Sequence, residues 1–309
     1  VDALRMSPVI QDALHGGTPV VALESTVLTH GLPPGANVEA AHAIEAAVRE
    51  AGAVPATIAM LEGVAVVGLT TDQIEQLADR AATREVGKAG SRDLPIVAAS
   101  RAWASTTVGA TCVLARVAGI VVFATGGIGG VHRDAATSFD ESADLVDLAR
   151  TGRLVVSAGI KSLLDVAATM QRLETLGVPV VGYRTDTVPG FWTPSSAVSV
   201  PHRLDDAETV AAAFAGRAGL GLHDRSLLVF QAVDAASGLA PDEHDLAVAD
   251  ALADAAAQGM TGPDVTPFVL HRVHQRTGGA SVQANTALLV ANARLAALLA
   301  THLAQLPHG

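Results

Sequence analysis

The stretch VVSAGIKSLLD, Val155 to Asp165, decides how the chain is read. Its opening residues form an apolar run of buried-strand type, Gly159 breaks the run, and the residues after that glycine read as a helix start with Lys161 at the junction. Strand, turn and helix in direct succession point to an α/β protein. In open α/β sheets, ligands collect at the carboxyl ends of strands, where helix N-termini and loop backbones converge. Lys161 stands at such an end. The chain holds 20 Lys+Arg, and only Lys88 and Lys161 are lysines. A guanidinium keeps its proton in proteins, whereas an ε-amine can be desolvated to a neutral nucleophile that forms an imine with a carbonyl. Scarcity and position single out Lys161 as a candidate nucleophile, against the plainer reading of a solvated lysine at a helix start.

The composition limits what surrounds it. With 309 residues, half of them hydrophobic, the chain can bury a substantial core. A net charge of −11, no Lys/Arg run and 3% aromatic residues argue against polymeric nucleic acid as a partner. The single cysteine, Cys112, excludes an internal disulfide framework, fits a reducing compartment and reads as a core residue. The segment VDALRMSPVI holds no apolar run of signal-peptide length. No stretch approaches a membrane span without a charge or a glycine, so the expectation is a soluble cytoplasmic protein with no membrane partner.

Taken in order, apolar strands and amphipathic helices alternate. Val20 to Leu23 reads as a strand ending at Glu24, followed by the loop ESTVLTHGLPPGAN and a helix from Asn37, its N-cap, to Gly52. Val54 to Met60 and Val64 to Leu69 suggest a hairpin, and Thr70 with Gln73 a capping box for a helix to about Ala82. Next comes a polar loop with Lys88, Ser91 and Arg92, then a strand from Pro95 to Ala99. A helix from Val108 to Ala118 leads into a strand from Ile120 to Ala124 and the run GGIGGVHR. That run fails the dinucleotide spacing, which leaves a phosphate cradle of backbone N–H groups or a tight turn without a ligand.

Ser142 reads as the N-cap of a helix with Asp144 in its first turn and Asp140 just before it, a pattern that suits either helix capping or a hard-cation site. After Lys161, Ser162 and Asp165 fit a capping pattern for a helix to Gly177, and Val178 to Gly182 reads as a strand. Asp205 and Glu208 read as caps of a helix to about Ala218, and Ser226 to Val233 as another strand. Three helical stretches close the chain: Pro241 to Gly259, one opened by Thr266-Pro267, and Ser281 to Leu306 with Asn285 and Asn292 among apolar residues. Those two amides are either packing groups or ligand contacts. With no linker and no repeat, the expectation is one domain over residues 1–309. Its architecture reads as a three-layer α/β/α sandwich around a mixed, mostly parallel sheet, with the helical C-terminal portion packed on it as a lobe.

Seven blocks carry a resemblance: ALESTVLTHGLP from Ala22, AVPATIAMLEGVAVVGLT from Ala53, KAGSRDLP from Lys88, FATGGIGGVHR from Phe123, FDESADL from Phe139, SAGIKSLLD from Ser157 and ETLGVPVVGYRTD from Glu174. In this order they resemble the pseudouridine-5'-phosphate glycosidase family, which includes the indigoidine synthase A proteins. The resemblance implies reversible cleavage of pseudouridine 5'-phosphate to uracil and ribose 5-phosphate, a divalent cation, usually Mn²⁺, and a homotrimer. It implies Lys161 as the covalent lysine, Glu24 as the general acid and Asp140 as the metal ligand. It implies Lys88, Val108, Thr125, Ser142 and Asp144 as substrate and phosphate contacts, with His132 and Asn285 as further ones.

The chemistry makes sense of these residue types. A carbon–carbon glycoside offers no leaving heteroatom for an ordinary pair of glycosidase carboxyls to protonate. An amine on C1′ supplies an electron sink instead, and Glu24 supplies the proton for the uracil carbon. Lys88 suits the phosphate as a point charge, with the N–H groups of Gly127 to Gly130 close by. The chain departs from the family pattern at Ile160, expected to narrow the pocket beside Lys161, at QAVDAAS from Gln231 to Ser237, and at Pro263. The first two bear on substrate fit rather than reaction type. An aldolase-like Schiff-base lyase, a non-catalytic nucleotide sensor and a role in pigment biosynthesis are the other readings that the sequence leaves open.

Overall fold

Residues 3–260 and 265–306 are described by the computed structural model, so Pro263 lies outside the described residues. Eleven strands form around one shared member. They are β1 (Leu4–Met6), β2 (Val20–Leu23), β3 (Val54–Leu61), β4 (Val64–Val67), β5 (Val86–Ala89) and β6 (Trp103–Thr106), followed by β7 (Val122–Ala124), β8 (Leu154–Ser157), β9 (Val180–Tyr183), β10 (His202–Leu204) and β11 (Leu227–Gln231). The spatial order is β1-β4-β3-β2-β7-β8-β11-β9-β10, with β6 and then β5 branching from β3. The first half of β3 pairs in parallel with β2, whereas its second half pairs antiparallel with β4 and β6. All other ladders are parallel.

Parallel strands covered on both faces need continuous apolar runs, and β2 and β8 are buried at every position. Phe123, Val155, Val156 and Phe230 are fully buried at the centre, each contributing about 1.5–3 kcal/mol of hydrophobic stabilisation. Helices lie on both sides. The 26-residue helix Ala280–Gln305 runs against β2, β7, β8 and the helix Ala36–Glu50, so this last helix supplies part of a covering layer, while the helices Pro241–Ala257 and Val265–Arg276 pack on each other. It is long and apolar enough to cross a membrane by length and composition, but it carries Arg294 and packs its buried face on the sheet.

Several local expectations change. The loop after β2 contains a single π-turn, Val27–Gly31. Asn37 is not a cap but sits inside the helix Ala36–Glu50, where its Nδ2 donates to Leu28 O at 2.6 Å and ties that turn down. Lys88 lies on strand β5, in register with Ser105 of β6, and the stretch read as a strand from Pro95 to Ala99 is the helix Leu94–Ser100 with proline in its first turn. The helix after Lys161 starts only at Val166. Its cap is Asp165, which accepts from Ala168 N at 2.9 Å, so Lys161 belongs to a loop. Asp206, not Asp205 or Glu208, caps the helix Ala207–Gly216. Thr266 and Pro267 lie within the helix Val265–Arg276. The short strands β1 and β10 come from segments that carried no strand signal.

Candidate active site

Three adjacent parallel strands, β2, β7 and β8, end side by side, and each delivers a polar residue just past its end: Glu24, Thr125 and Lys161. Their polar groups converge where the sheet leaves backbone unpaired. Ser25 Oγ donates to Ile58 O at 2.7 Å and Thr26 Oγ1 to Thr106 O at 2.6 Å, which holds the segment after Glu24 onto β3 and β6. Lys161 is anchored through its own amide, which donates to Ile128 O at 3.1 Å.

Glu24, Lys88, Lys161 and Asn285 line one pocket together with His30, Gly126, Gly127, Phe191, Leu270 and Leu289. The Thr125 hydroxyl donates to Glu24 Oε1. Burial pushes the Glu24 carboxyl above the ordinary carboxylate range; the charge of Lys161, the Thr125 hydroxyl and Lys88 pull it back, while Asp144 adds to the rise. An acid of raised pKa beside two amines is an arrangement for proton transfer next to a nucleophile. Asn285 is 5% exposed, and its amide makes no side-chain hydrogen bond among the described residues.

The remaining predicted residues lie around this pocket without lining it. Val108 is buried in the first turn of the helix Val108–Val117. Asp144 is buried, and its two carboxylate oxygens accept from Gly109 N at 2.8 Å and Gly129 N at 2.9 Å, joining that helix to the glycine loop. Ser142 Oγ in turn accepts from Asp144 N at 3.2 Å, a capping contact one residue outside the cap position of the helix Asp144–Thr151. The loop Gly126 to Arg133 is partly tied into the protein, while Gly126 and Gly127 line the pocket. The amides of Ile128, Gly129, Val131 and His132 all go to protein acceptors. Its glycines are close-packed: a methyl group on Gly129 would lie 2.2 Å from Ser142 Oγ, and one on Gly130 2.3 Å from Thr169 Oγ1.

His132 Nδ1 and Asp140 Oδ2 stand 3.8 Å apart. No group of three potential ligand side chains occurs among the described residues, and both oxygens of Asp144 already hold backbone amides. One half-buried carboxylate fits a hard divalent cation that keeps most of its water and does not fit a dehydrated cage. Ile160 is fully buried, pairs its backbone with Ile128 and does not line the pocket, so it does not narrow it. The segment Gln231 to Ser237 lines no part of it either. Cys112 is a core residue whose thiol is pushed up by burial and is inert.

Sequence reasoning gave no role to His30, Phe191, Leu270 or Leu289. His30 lies in the quoted block ALESTVLTHGLP, and its Nδ1 is 2.6 Å from Thr29 Oγ1, which fixes the ring. Phe191 adopts a left-handed backbone with φ of 69° while only 3% exposed, and a methyl group on Gly127 would lie 2.7 Å from its ring. A buried aromatic residue at positive φ is uncommon and is tolerated where surrounding structure holds it.

Comparison with known proteins agrees with this geometry. Pseudouridine-5'-phosphate glycosidase from Nocardioides sp. is 49% identical over 303 residues, covering 98% of this chain and 97% of the relative. The protein of that name from Salinispora tropica is 49% identical over 297 residues, covering 96% and 91%. Among solved structures, the prealnumycin C-glycosynthase AlnA in complex with ribulose 5-phosphate has a TM-score of 0.89 and 38% identity over 98% of both chains. An indigoidine synthase A-like protein from Thermotoga maritima has a TM-score of 0.87 and 34% identity, covering 98% of this chain and 97% of the other. Residues 9–302 match the model described as indigoidine synthase A like protein. By the match over almost its whole length, and by the strand ends that carry Glu24, Thr125 and Lys161, the chain belongs to the indigoidine synthase A-like family.

Proposed function

We infer that the chain cleaves and re-forms the carbon–carbon glycosidic bond of pseudouridine 5'-phosphate, giving uracil and ribose 5-phosphate. The observation that carries this reading is the placement of Glu24, Lys161 and Lys88 in one pocket, with the carboxyl of Glu24 raised by burial. The names of the two bacterial relatives support the substrate. AlnA supports the reaction class, since it is named a C-glycosynthase and holds a pentulose phosphate.

The neutral amine of Lys161 attacks C1′ while the bond from C1′ to the ring oxygen breaks, and the ring oxygen takes the proton that the lysine nitrogen sheds. Glu24 then delivers its proton to C5 of uracil as the C1′–C5 electron pair moves to that carbon and the lysine nitrogen forms a C=N⁺ bond to C1′. Uracil leaves. Water adds to the imine and releases ribose 5-phosphate and the free amine. Lys88 holds the phosphate as a point charge, the buried Asn285 amide faces the base, and Phe191 keeps water from the lysine stem. Asp140 is the residue that would hold Mn²⁺, with His132 beside it, and the cation when bound would supply positive charge beside the anionic substrate. The proposed assembly is a homotrimer, which light scattering reads as three times the chain mass.

The test is to incubate the protein with uracil, ribose 5-phosphate and Mn²⁺ and to look for the C-nucleotide by mass. Its absence, with ribose 5-phosphate returned intact, refutes the reading. An aldolase-like lyase would cleave a sugar phosphate without releasing uracil, and a sensor would bind without turnover.

A further inference from the structure

The helix Asp144–Thr151 ends just before β8, at the amino edge of the sheet, opposite the strand ends that carry Glu24, Thr125 and Lys161. Four arginines from four separate segments meet there. Arg225, just before β11, donates from Nη1 to Ala149 O at 2.7 Å, and Arg116, in the last turn of the helix Val108–Val117, donates to Arg150 O. Arg153, just before β8, donates from Nε to Thr151 O at 2.9 Å. Arg217, just after the helix Ala207–Gly216, donates from Nη2 to Gly152 O at 3.5 Å and from Nη1 to Arg225 O. Four consecutive carbonyls thus each meet a different guanidinium.

Capping accounts for the hydrogen bonds at this helix end but not for the charge gathered on it. A helix C-terminus carries about half a unit of negative charge. Among the described residues, Asp224 alone forms an ion pair with the group, through Arg225 at 2.7 Å. Arg116, Arg153 and Arg217 have no carboxylate partner there, in a chain whose net charge is −11. Burial pushes the Arg153 guanidinium down and Arg116 adds to that; burial, and then the charge of Arg153, push Arg217 down to about 10. Arg116 is exposed and uses one of its five N–H donors within the protein, so a fork stays open to solvent. We propose that this arginine cluster is a binding site for a phosphate dianion, free or as the ester of a small metabolite, separate from the catalytic pocket. Guanidinium forks match phosphate oxygens in pairs, and a dianion neutralises the charge that one carboxylate and a helix end leave uncompensated. None of the four arginines lines the pocket of Lys88 and Lys161, so the site does not depend on the reaction inferred above.

The probe is radiolabelled inorganic phosphate, dialysed to equilibrium against the full chain carrying Lys88→Gln, which removes the phosphate contact of the catalytic pocket. Sodium chloride at about 0.15 M screens diffuse attraction beyond roughly 8 Å. The expected result is one bound phosphate per chain, with Kd raised about tenfold or more on adding Arg116→Gln or Arg217→Gln. Glutamine removes the charge and keeps an amide donor for the helix end. Phosphate is also expected to raise the denaturation midpoint of the Lys88→Gln protein and to leave that of either double variant unmoved. Phosphate binding that is absent from the Lys88→Gln protein, or unchanged in both double variants, overturns the inference. A phosphate-induced midpoint shift that neither arginine replacement reduces leaves the four side chains as helix caps and overturns it as well. Competition with glycerol 3-phosphate separates the two sources: displacement assigns the site to an esterified phosphate, and its failure to the free anion.

Discussion

Thr125 Oγ1 donates a hydrogen bond to Glu24 Oε1, and this contact joins the residues that follow β7 and β2. The hydroxyl lowers the pKa of a carboxyl that burial raises. Thr125→Val removes the lowering contribution, so the Glu24 carboxyl rises further and the basic limb of the kcat/KM profile moves to higher pH. A hydrogen bond to a charged group contributes about 1.5–3 kcal/mol, which corresponds to a loss of roughly ten- to hundredfold at the optimum. A limb that stays in place or moves down would refute the assignment.

The raised carboxyl also sets a sign for stability. The native state holds this proton more tightly than the unfolded chain, so stability falls as pH rises from the ordinary carboxylate value through the raised native one. Glu24→Gln removes that slope. Denaturant unfolding at a series of pH values is expected to show a wild-type decline over that window that the variant lacks.

Lys161→Ala is expected to abolish turnover, and borohydride with ribose 5-phosphate is expected to trap an adduct on the wild type alone. Peptide mapping distinguishes the two lysines, and an adduct on Lys88 would transfer the nucleophile's role to it. Glu24→Gln is expected to retain ribose 5-phosphate binding while losing about 10²–10⁴ in cleavage rate. Unimpaired cleavage would remove Glu24 as the acid.

For the cation, Asp140→Ala is expected to weaken Mn²⁺ binding by at least about tenfold, since a hard, largely hydrated ion loses its one charged oxygen donor. The free Mn²⁺ paramagnetic resonance signal during titration reads this without any turnover. Unchanged binding would place the ion elsewhere.

Much of the architecture was legible because the central strands are apolar at every position, as parallel strands covered on both faces must be. The hairpin of β3 and β4 and the capping box of Thr70 and Gln73 were read from local pattern and formed as expected. Local pattern failed where tertiary pairing decides. Val86 to Ala89 includes a glycine and a lysine yet is a strand because β6 lies alongside it, and PIVAA is a short apolar run whose period does not separate strand from helix. Lys161 stood out by counting lysines, and Glu24 through the resemblance carried by the block ALESTVLTHGLP. Phe191 and His30 were missed because their roles come from packing against Gly127 and Thr29, which spacing does not reveal.

Beside the substrate contact that its motif implies, Asp144 makes backbone contacts within the protein, and their weight can be measured. Its two oxygens accept from Gly109 N and Gly129 N, so it fastens the glycine loop to the helix Val108–Val117. An amide in its place keeps one acceptor and turns an NH₂ group toward the other backbone donor. Asp144→Asn is therefore expected to lose about 1–3 kcal/mol of stability, read as a lower denaturation midpoint. The lost negative charge also removes a contribution that raises Glu24, so the basic limb of the rate profile is expected to move down in pH, opposite to Thr125→Val. If Asp144 served substrate alone, the asparagine variant would raise KM and leave the midpoint unchanged.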